Sequence, residues 1–452
     1  FDENMQIIPM LATSYEANDE ATEYTIHLRE GVSFTDGTPW NADALIANVN
    51  KWADKSLGLK RTTFLCNVLD HAEKIDDYTV KIYLSQSFGA FISNLAHPAT
   101  LIMSPKQIEA GEDACAQAPV GTGQYKFVEW VAGDHMKVEL NKDWWGYDAD
   151  VCGGTALADA DAGFKSITFK PVAESATRVS AVQAGDAQIM WSVPTESVDT
   201  LKGDSNVSVG MGDSITVWYF FMNTQKAPFN DVKVREAMAY AINKEAYIQV
   251  VMNGYGSVAT SMVGEEVQHY KGNDPYSYDP EKAKELLKEA GYPDGLDLTV
   301  KASSNDAYSK PLEIVQAYLA DVGINLNIEL MESNAWFDDV FKSGDFDLNL
   351  VTFSMGMADL EELYALYRGG QGQNYGHMDD PEVNAAYDAN HTSLDEETRL
   401  EAFKTVQHVM GDKALTVPLY TAMSGIGANK DLQGIKADAM GNYRIADWSW
   451  AE

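Results

Sequence analysis

Cysteine is scarce in this chain: Cys66, Cys115 and Cys152 are the only three in 452 residues. Three thiols build neither a disulfide scaffold nor a zinc framework. Cys115 (DACAQ) and Cys152 (DVCGG) both lie in loop-like sequence, so an oxidising compartment could pair them; two separate thiols fit the spacing equally well. Positive charge is also short. Lys and Arg number 33 against 68 Asp and Glu, a formal net charge of −35. Such a polyanion is a poor partner for nucleic acid or an acidic membrane face, and the acidic excess reads as a solvated surface. No apolar run approaches the roughly 18 residues of a membrane span. The opening residues show neither a signal-peptide pattern nor a lipid-attachment cysteine. The eight histidines form no HxH or HExxH spacing, and His97 and His377 stand alone. That argues against a metal held by protein ligands alone and leaves room for a metal carried inside a small chelator. No cofactor is expected.

What is present describes a folded protein of two or three domains. Hydrophobic residues make up 45% and charged residues 22%, enough to bury a large core. The stretch LREGVSFTDGTPWNADALIANVNKW, residues 28–52, is punctuation between a strand and a helix. EYTIHLR before it alternates apolar and polar side chains. Asp36-Gly37 and Pro39 make a turn, Asn41 is a fair N-cap with Asp43 in the first turn, and Leu45, Val49 and Trp52 share one helical face. DDYTVKIYL (76–84), PVGTGQYKFVEWV and HMKVELN (119–141) read as further strands. Gly121 and Gly123 form no phosphate loop, because no helix follows them. From about residue 240 helices and strands alternate. YDPEKAKELLKEAGYPDG is a helix capped by Asp279, with Pro280 in its first turn and Gly291 at its end. Then come LDLTVK (strand), PLEIVQAYLADVG (helix), INLNIEL (strand), WFDDVFKSG (helix), FDLNLVTF (strand), DEETRLEAFKTVQHVMGD (helix) and ALTVPLY (strand). This alternation predicts an α/β domain with a mainly parallel sheet.

Four stretches carry a resemblance: LREGVSFTDGTPWNADAL, APVGTGQYKFVEWVAGDHMKVELNKDWWG, RVSAVQAGDAQI and FFMNTQKAPFNDVKVREAMAYAINKEA. With AKELLKEAGYPDG they run in order over most of the chain. Together they resemble the bacterial extracellular solute-binding proteins, family 5, of ABC importers for dipeptides, oligopeptides and nickel. The resemblance implies an α/β, two-lobed periplasmic-binding-protein type II fold with an extra subdomain and a ligand cleft between lobes joined by two hinge crossings. Carried onto this chain, lobe one holds residues 1–34, the extra subdomain 35–118, lobe one again 119–222, lobe two 223–418, and lobe one once more 419–452. It also implies a strand and helix ahead of FDENMQIIPMLATSYE that help line the cleft.

The same resemblance points to ligand-binding residues. Peptide-binding members anchor the peptide amine with an Asp in a DY-x-[DE]-P type stretch. The matching region here is VTFSMGMADLEEL, where that Asp falls at Met355 or Gly356, the Pro is Leu360, and Asp359 stands one register away. Met355 and Met357 would make a soft, adaptable wall, but a Met cannot partner a buried ammonium. Nickel-chelate members use an Arg and a Trp three residues apart. RTTF places Arg61 and Phe64 at that spacing, while the second Arg would fall near Thr100 or Leu101 and is absent. Arg61 suits a bidentate pair with a ligand carboxylate; a plain surface Arg is the alternative. In ITVWYFFMN, alternation puts Trp218, Phe220 and Met222 on one face and Tyr219 and Phe221 on the other. The family presents an aromatic of this strand to ligand, so Trp218 and Phe220 are candidates, although each of the five also suits the core. Arg368 and Tyr375, in YRGGQGQNYGH, lie on a Gly-rich loop placed to close over the cleft or to meet solvent.

The implied function is the extracytoplasmic substrate-binding component of an ABC importer. It would bind a small peptide-like or metal-chelate ligand by hinge closure and make or break no bond. The implied partners are the ligand and a membrane permease. The implied state is a monomer, periplasmic or anchored to the outer face of the cell membrane as a lipoprotein. A competing reading is a secreted hydrolase with paired carboxylates. It rests only on the number of acidic residues, and no GxSxG, metal or Cys/His signature joins it.

Overall fold

The computed structural model describes residues 6–58, 63–147, 164–264, 272–342, 344, 346–354, 359–371, 374, 376–435, 445 and 448–451. Alternation along EYTIHL buries Tyr24, Ile26 and Leu28, and along TVKIYL it buries Val80, Ile82 and Leu84. The two strands pair antiparallel, Tyr24 opposite Ile82 and Ile26 opposite Val80. They form the centre of a four-stranded sheet in the order Ala12–Ala17, Glu23–Leu28, Thr79–Leu84, Leu69–Asp76. Asn41 caps the helix Ala42–Ala53, its side-chain oxygen accepting the Ala44 N–H at 3.1 Å. Leu45, Val49 and Trp52 lie buried in the same core as the sheet, each contributing about 2 kcal/mol of apolar burial. Residues on both sides of position 34 share this one core: Tyr24, Ile26 and Leu28 pack with Trp40, Leu45 and Val49. A three-stranded sheet follows: Tyr125–Val131, His135–Leu140 and Ser166–Phe169.

The largest sheet has seven strands. Its order is Gly256–Val258, Thr416–Asn429, Val207–Met222, Leu348–Phe353, Leu296–Ser303, Ile324–Met331, with Ile189–Trp191 pairing onto Thr416–Asn429. The last three of the main order are parallel to one another. The helices between them place their apolar faces on the sheet. Pro280–Glu289 is capped by Asp279, which accepts the Lys282 N–H at 2.9 Å, and it buries Ala283, Leu286 and Leu287. The helix expected from Pro311 starts five residues earlier, as Asp306–Asp321 with Pro311 inside it, because Asn305 supplies the cap by accepting the Ala307 N–H.

Two long strands run through this sheet. Val207–Met222 and Thr416–Asn429 run antiparallel side by side, with register shifts at Pro418/Tyr420 and Thr421/Met423. At one end Val207, Val209 and Met211 pack with Val182, Met190, Val193, Val198 and Leu201. At the other end Val217, Tyr219 and Phe221 enter one core and Phe220 and Met222 a second, on opposite faces of the sheet. The pair therefore passes from one packed unit into another. The sequence predicts the second strand only over ALTVPLY, yet it continues to Asn429. Gly425 lets the strands pack closely on the neighbouring core: a Cβ there would lie 2.8 Å from Met211 Sδ and 3.0 Å from Val193 Cβ. Among the described residues no helix is long and apolar enough to cross a membrane.

Candidate functional site

The parallel strands Leu296–Ser303, Ile324–Met331 and Leu348–Phe353 end at one edge of the large sheet, Ser303 level with Met331. In open α/β sheets ligands bind outside the carboxyl ends of the strands, where helices begin and side chains of several strands converge. Here Asn305 caps the helix after the first strand, and the Glu332 carboxylate caps the short helix after the second, accepting the Asn334 and Ala335 N–H groups at 2.9 and 3.2 Å. Ser303 and Ser333 join the two turns through their hydroxyls, 2.8 Å apart.

A run of aromatic rings wraps this edge. Trp218, opposite Thr352 on one side and Tyr420 on the other, stacks on Tyr420 with ring centroids 5.8 Å apart and planes 8° from parallel. Its other neighbour is Tyr308, at 5.0 Å, from the first turn of the helix Asp306–Asp321. Tyr308 in turn meets Trp336 at 5.3 Å, and Trp336 meets Phe341 at 5.4 Å. Trp218 packs with the core on one face of the sheet and Trp336 with the core on the other, so Tyr308, packed against both, spans the sheet end. Trp336 donates its indole N–H to Asn349 Oδ1 at 3.0 Å. Asn349 Nδ2 and Thr352 Oγ1 are buried without a hydrogen-bond partner. Burial pushes the Tyr308 and Tyr420 hydroxyls up from the ordinary tyrosine range, so both remain neutral phenols. The edge therefore combines neutral aromatic rings with isolated unpaired hydrogen-bonding groups.

Of the residues expected at the ligand, Trp218 stands on this shelf. Phe220 does not: two residues deeper on the same face, it is 0% exposed inside the core. Asp359 is buried, receives the Glu361 N–H at 2.9 Å and a hydrogen bond from Asn390 Nδ2 at 3.3 Å, and forms an ion pair with Arg399. Arg368 is likewise engaged, donating from Nε and Nη2 to the two oxygens of Asp388 at 3.1 and 2.9 Å. Arg61, Met355 and Tyr375, as well as Met357 and Cys152, lie outside the described residues, and Phe64 is described only as part of the helix Thr63–Val68. Tyr308, Trp336 and Tyr420 complete the run of rings without having been expected there. Tyr308 had a signal, since it follows a parallel strand by five residues and a capping Asn by three; the other two read only as helix and strand.

The helices Glu361–Tyr367 and Pro381–Thr392 hold a buried titratable cluster. Glu361 is held by His391, whose Nδ1 lies 3.0 Å from its carboxylate. Burial pushes the Glu361 carboxyl up to about 7 from its ordinary 4.5, with the His391 hydrogen bond opposing that rise. The folded protein thus keeps a proton on Glu361 to about pH 7 that the unfolded chain releases near 4.5. The stability this contributes is complete below 4.5 and is lost as pH rises through 7. Urea midpoints taken at pH 5, 6, 7 and 8 are expected to fall toward pH 8. Glu361→Gln, which cannot ionise, is expected to flatten that fall, and an unchanged slope would remove Glu361 as its source.

The family model for bacterial extracellular solute-binding proteins, family 5 (middle), matches residues 6–375. Over 356 residues the chain is 37% identical to the glutathione-binding protein GsiB of Escherichia coli (strain K12), covering 78% of this chain and 67% of that protein. The periplasmic binding protein DppA of Helicobacter pylori, solved in complex with peptide STSA, shares the fold with a TM-score of 0.82 at 24% identity, covering 99% of this chain and 90% of that one. NikZ of Campylobacter jejuni, solved in complex with Ni(L-His), gives a TM-score of 0.81 at 21% identity, covering 99% and 92%. The mixed α/β architecture is that of the type II periplasmic binding proteins, as the sequence motifs implied. The chain belongs to the bacterial extracellular solute-binding proteins, family 5, and is a substrate-binding component of an ABC importer rather than a hydrolase.

Proposed function

We propose that this chain captures a small peptide of the glutathione kind on the aromatic shelf and hands it to the permease of an ABC importer. The observation that carries the reading is the shelf itself: the partly exposed Trp218 and Tyr308 give apolar contact area, the buried Tyr420 backs Trp218 from the core, and Thr352 Oγ1 is a hydrogen-bonding group left unpaired beside them. Binding sites of this kind combine aromatic walls with a few placed polar groups. The 37% identity to a glutathione-binding protein narrows the peptide class. Capture works by closure of one lobe onto the other, and the long strands Val207–Met222 and Thr416–Asn429 are the hinge. We place its bending points near residues 211–215 and 423–426, where the strands change cores, rather than at the 222 and 418 expected from sequence. The chain acts as a monomer outside the cytoplasm, periplasmic or anchored to the outer face of the cell membrane as a lipoprotein.

Calorimetric titration with reduced glutathione, oxidised glutathione, trialanine and nickel–histidine tests the ligand. Reduced glutathione is expected to bind one to one. Trp218→Ala is expected to weaken it about 30-fold, from the loss of about 2 kcal/mol of ring contact. Binding of nickel–histidine alone, or full affinity in Trp218→Ala, would overturn this reading.

A further inference from the structure

We propose that the joint between residues 85–90 and the C-terminal end of the helix Pro381–Thr392 is a closure latch, formed when the lobes close on ligand and parted when they open. The inference rests on the hinged reading above. The two sides belong to different packed units. Phe88 and Ala90 lie in the core of the four-stranded sheet, while Val383, Ala386 and Tyr387 of the helix lie in a core of the large sheet. Rotation about the two long strands would carry one side away from the other.

The contacts suit a reversible joint. Gly89 donates its backbone N–H to the His391 carbonyl at 2.8 Å, and Ser87 Oγ donates to the Thr392 carbonyl at 3.2 Å. Both acceptors are helix-end carbonyls, which have no partner within their own helix and turn to water when uncovered. Opening the joint therefore strands no polar group. The Phe88 ring lies 4.9 Å from the His391 ring, and Gln86 Nε2 lies 3.4 Å from His391 Nε2. The imidazole is aimed at this side because Glu361 holds its other nitrogen and Tyr364 stacks on it at 4.7 Å. A second link, His97 Nε2 to Glu362 Oε1 at 4.0 Å, joins the same two units.

Gly89 makes the joint specific. A Cβ built on it would lie 1.8 Å from the Ser393 carbonyl oxygen, and the three nearest atoms are all Ser393 backbone. Its φ is not left-handed, so alanine there strains nothing within its own loop. Alanine would hold the two backbones apart while leaving each unit intact.

Hydrogen exchange and ligand kinetics test the latch together. In ligand-free protein the Gly89 amide is expected to exchange at least 100-fold faster than that of Ile82, in the centre of the same unit's sheet, and to become protected when reduced glutathione is added. Gly89→Ala is expected to raise the Kd for glutathione at least tenfold through faster dissociation, with the ligand-free Tm unchanged; Ser87→Ala should do the same by two- to fivefold. Equal protection of Gly89 and Ile82 without ligand would make the joint static and overturn the latch. So would an unchanged Kd, or a ligand-free Tm lowered as far as the loaded one. Should the wild-type protein bind no glutathione, the ligand reading fails by itself, and the ligand-free exchange comparison still decides the latch.

Discussion

Arg399→Leu is expected to lower the free energy of unfolding by about 3–5 kcal/mol, measured by urea denaturation. The guanidinium and the Asp359 carboxylate are both shielded, with side-chain exposures of 13% and 4%. An exposed pair would be worth about 1 kcal/mol or less, since water screens it. Here, removing the cation leaves a buried carboxylate with two weaker donors, the Glu361 N–H and Asn390 Nδ2, and with the Glu361 carboxyl close by. Arg399 also donates to the Asn390 and Ser393 carbonyls, at 3.4 Å each, so the helix end that meets Gly89 loses support as well. The Asp359→Asn background separates charge from packing. Asn still accepts the Glu361 N–H but carries no charge, so Arg399→Leu should cost less than half as much there. A loss below about 1 kcal/mol in the wild-type background would show that the pair behaves as a screened surface bridge.

Phe220→Ala is expected to cost about 3–5 kcal/mol of stability and to leave ligand affinity within about twofold of wild type. Its ring is fully buried, between cross-strand neighbours Leu350 and Val417, and a cavity there cannot be filled by solvent without wetting the core. Trp218, two residues earlier on the same face, should behave in the opposite way, losing affinity with a smaller loss of stability. Denaturation curves and calorimetric titrations of the two variants, made at a temperature where both are folded, compare them directly. A tenfold loss of affinity in Phe220→Ala would place its ring at the ligand.

The contrast between these neighbours shows how far the chain can be read without coordinates. Alternation in ITVWYFFMN correctly sorts Trp218, Phe220 and Met222 from Tyr219 and Phe221, because side-chain direction along a strand is a local property. It cannot say where along the strand the core stops. That depends on Tyr308 and Tyr420, brought to Trp218 from a following helix and from a strand some 200 residues away. The partners of the charged candidates are hidden from the sequence for a related reason. Arg368 is neutralised by Asp388 and Asp359 by Arg399, 20 and 40 residues away. Nothing in YRGGQGQNYGH or SMGMAD announces those partners.

By itself, the sequence determined the capped helices at Asn41 and Asp279, the period-two strands at Glu23–Leu28 and Thr79–Leu84, the α/β alternation after residue 240, and the family. Each follows from relations between residues a few positions apart, or from motifs kept in order. Only the tertiary structure decided that residues before and after 34 share one core, that the strand after Thr416 continues to Asn429, which aromatic stands at the sheet edge, and that Gly89 touches a helix end some 300 residues away. The physical reason is common to all four. Whether a side chain is free, buried or neutralised is set by the atoms it meets, and in a sheet whose neighbouring strands are drawn from distant parts of the chain, those atoms are not its neighbours in sequence.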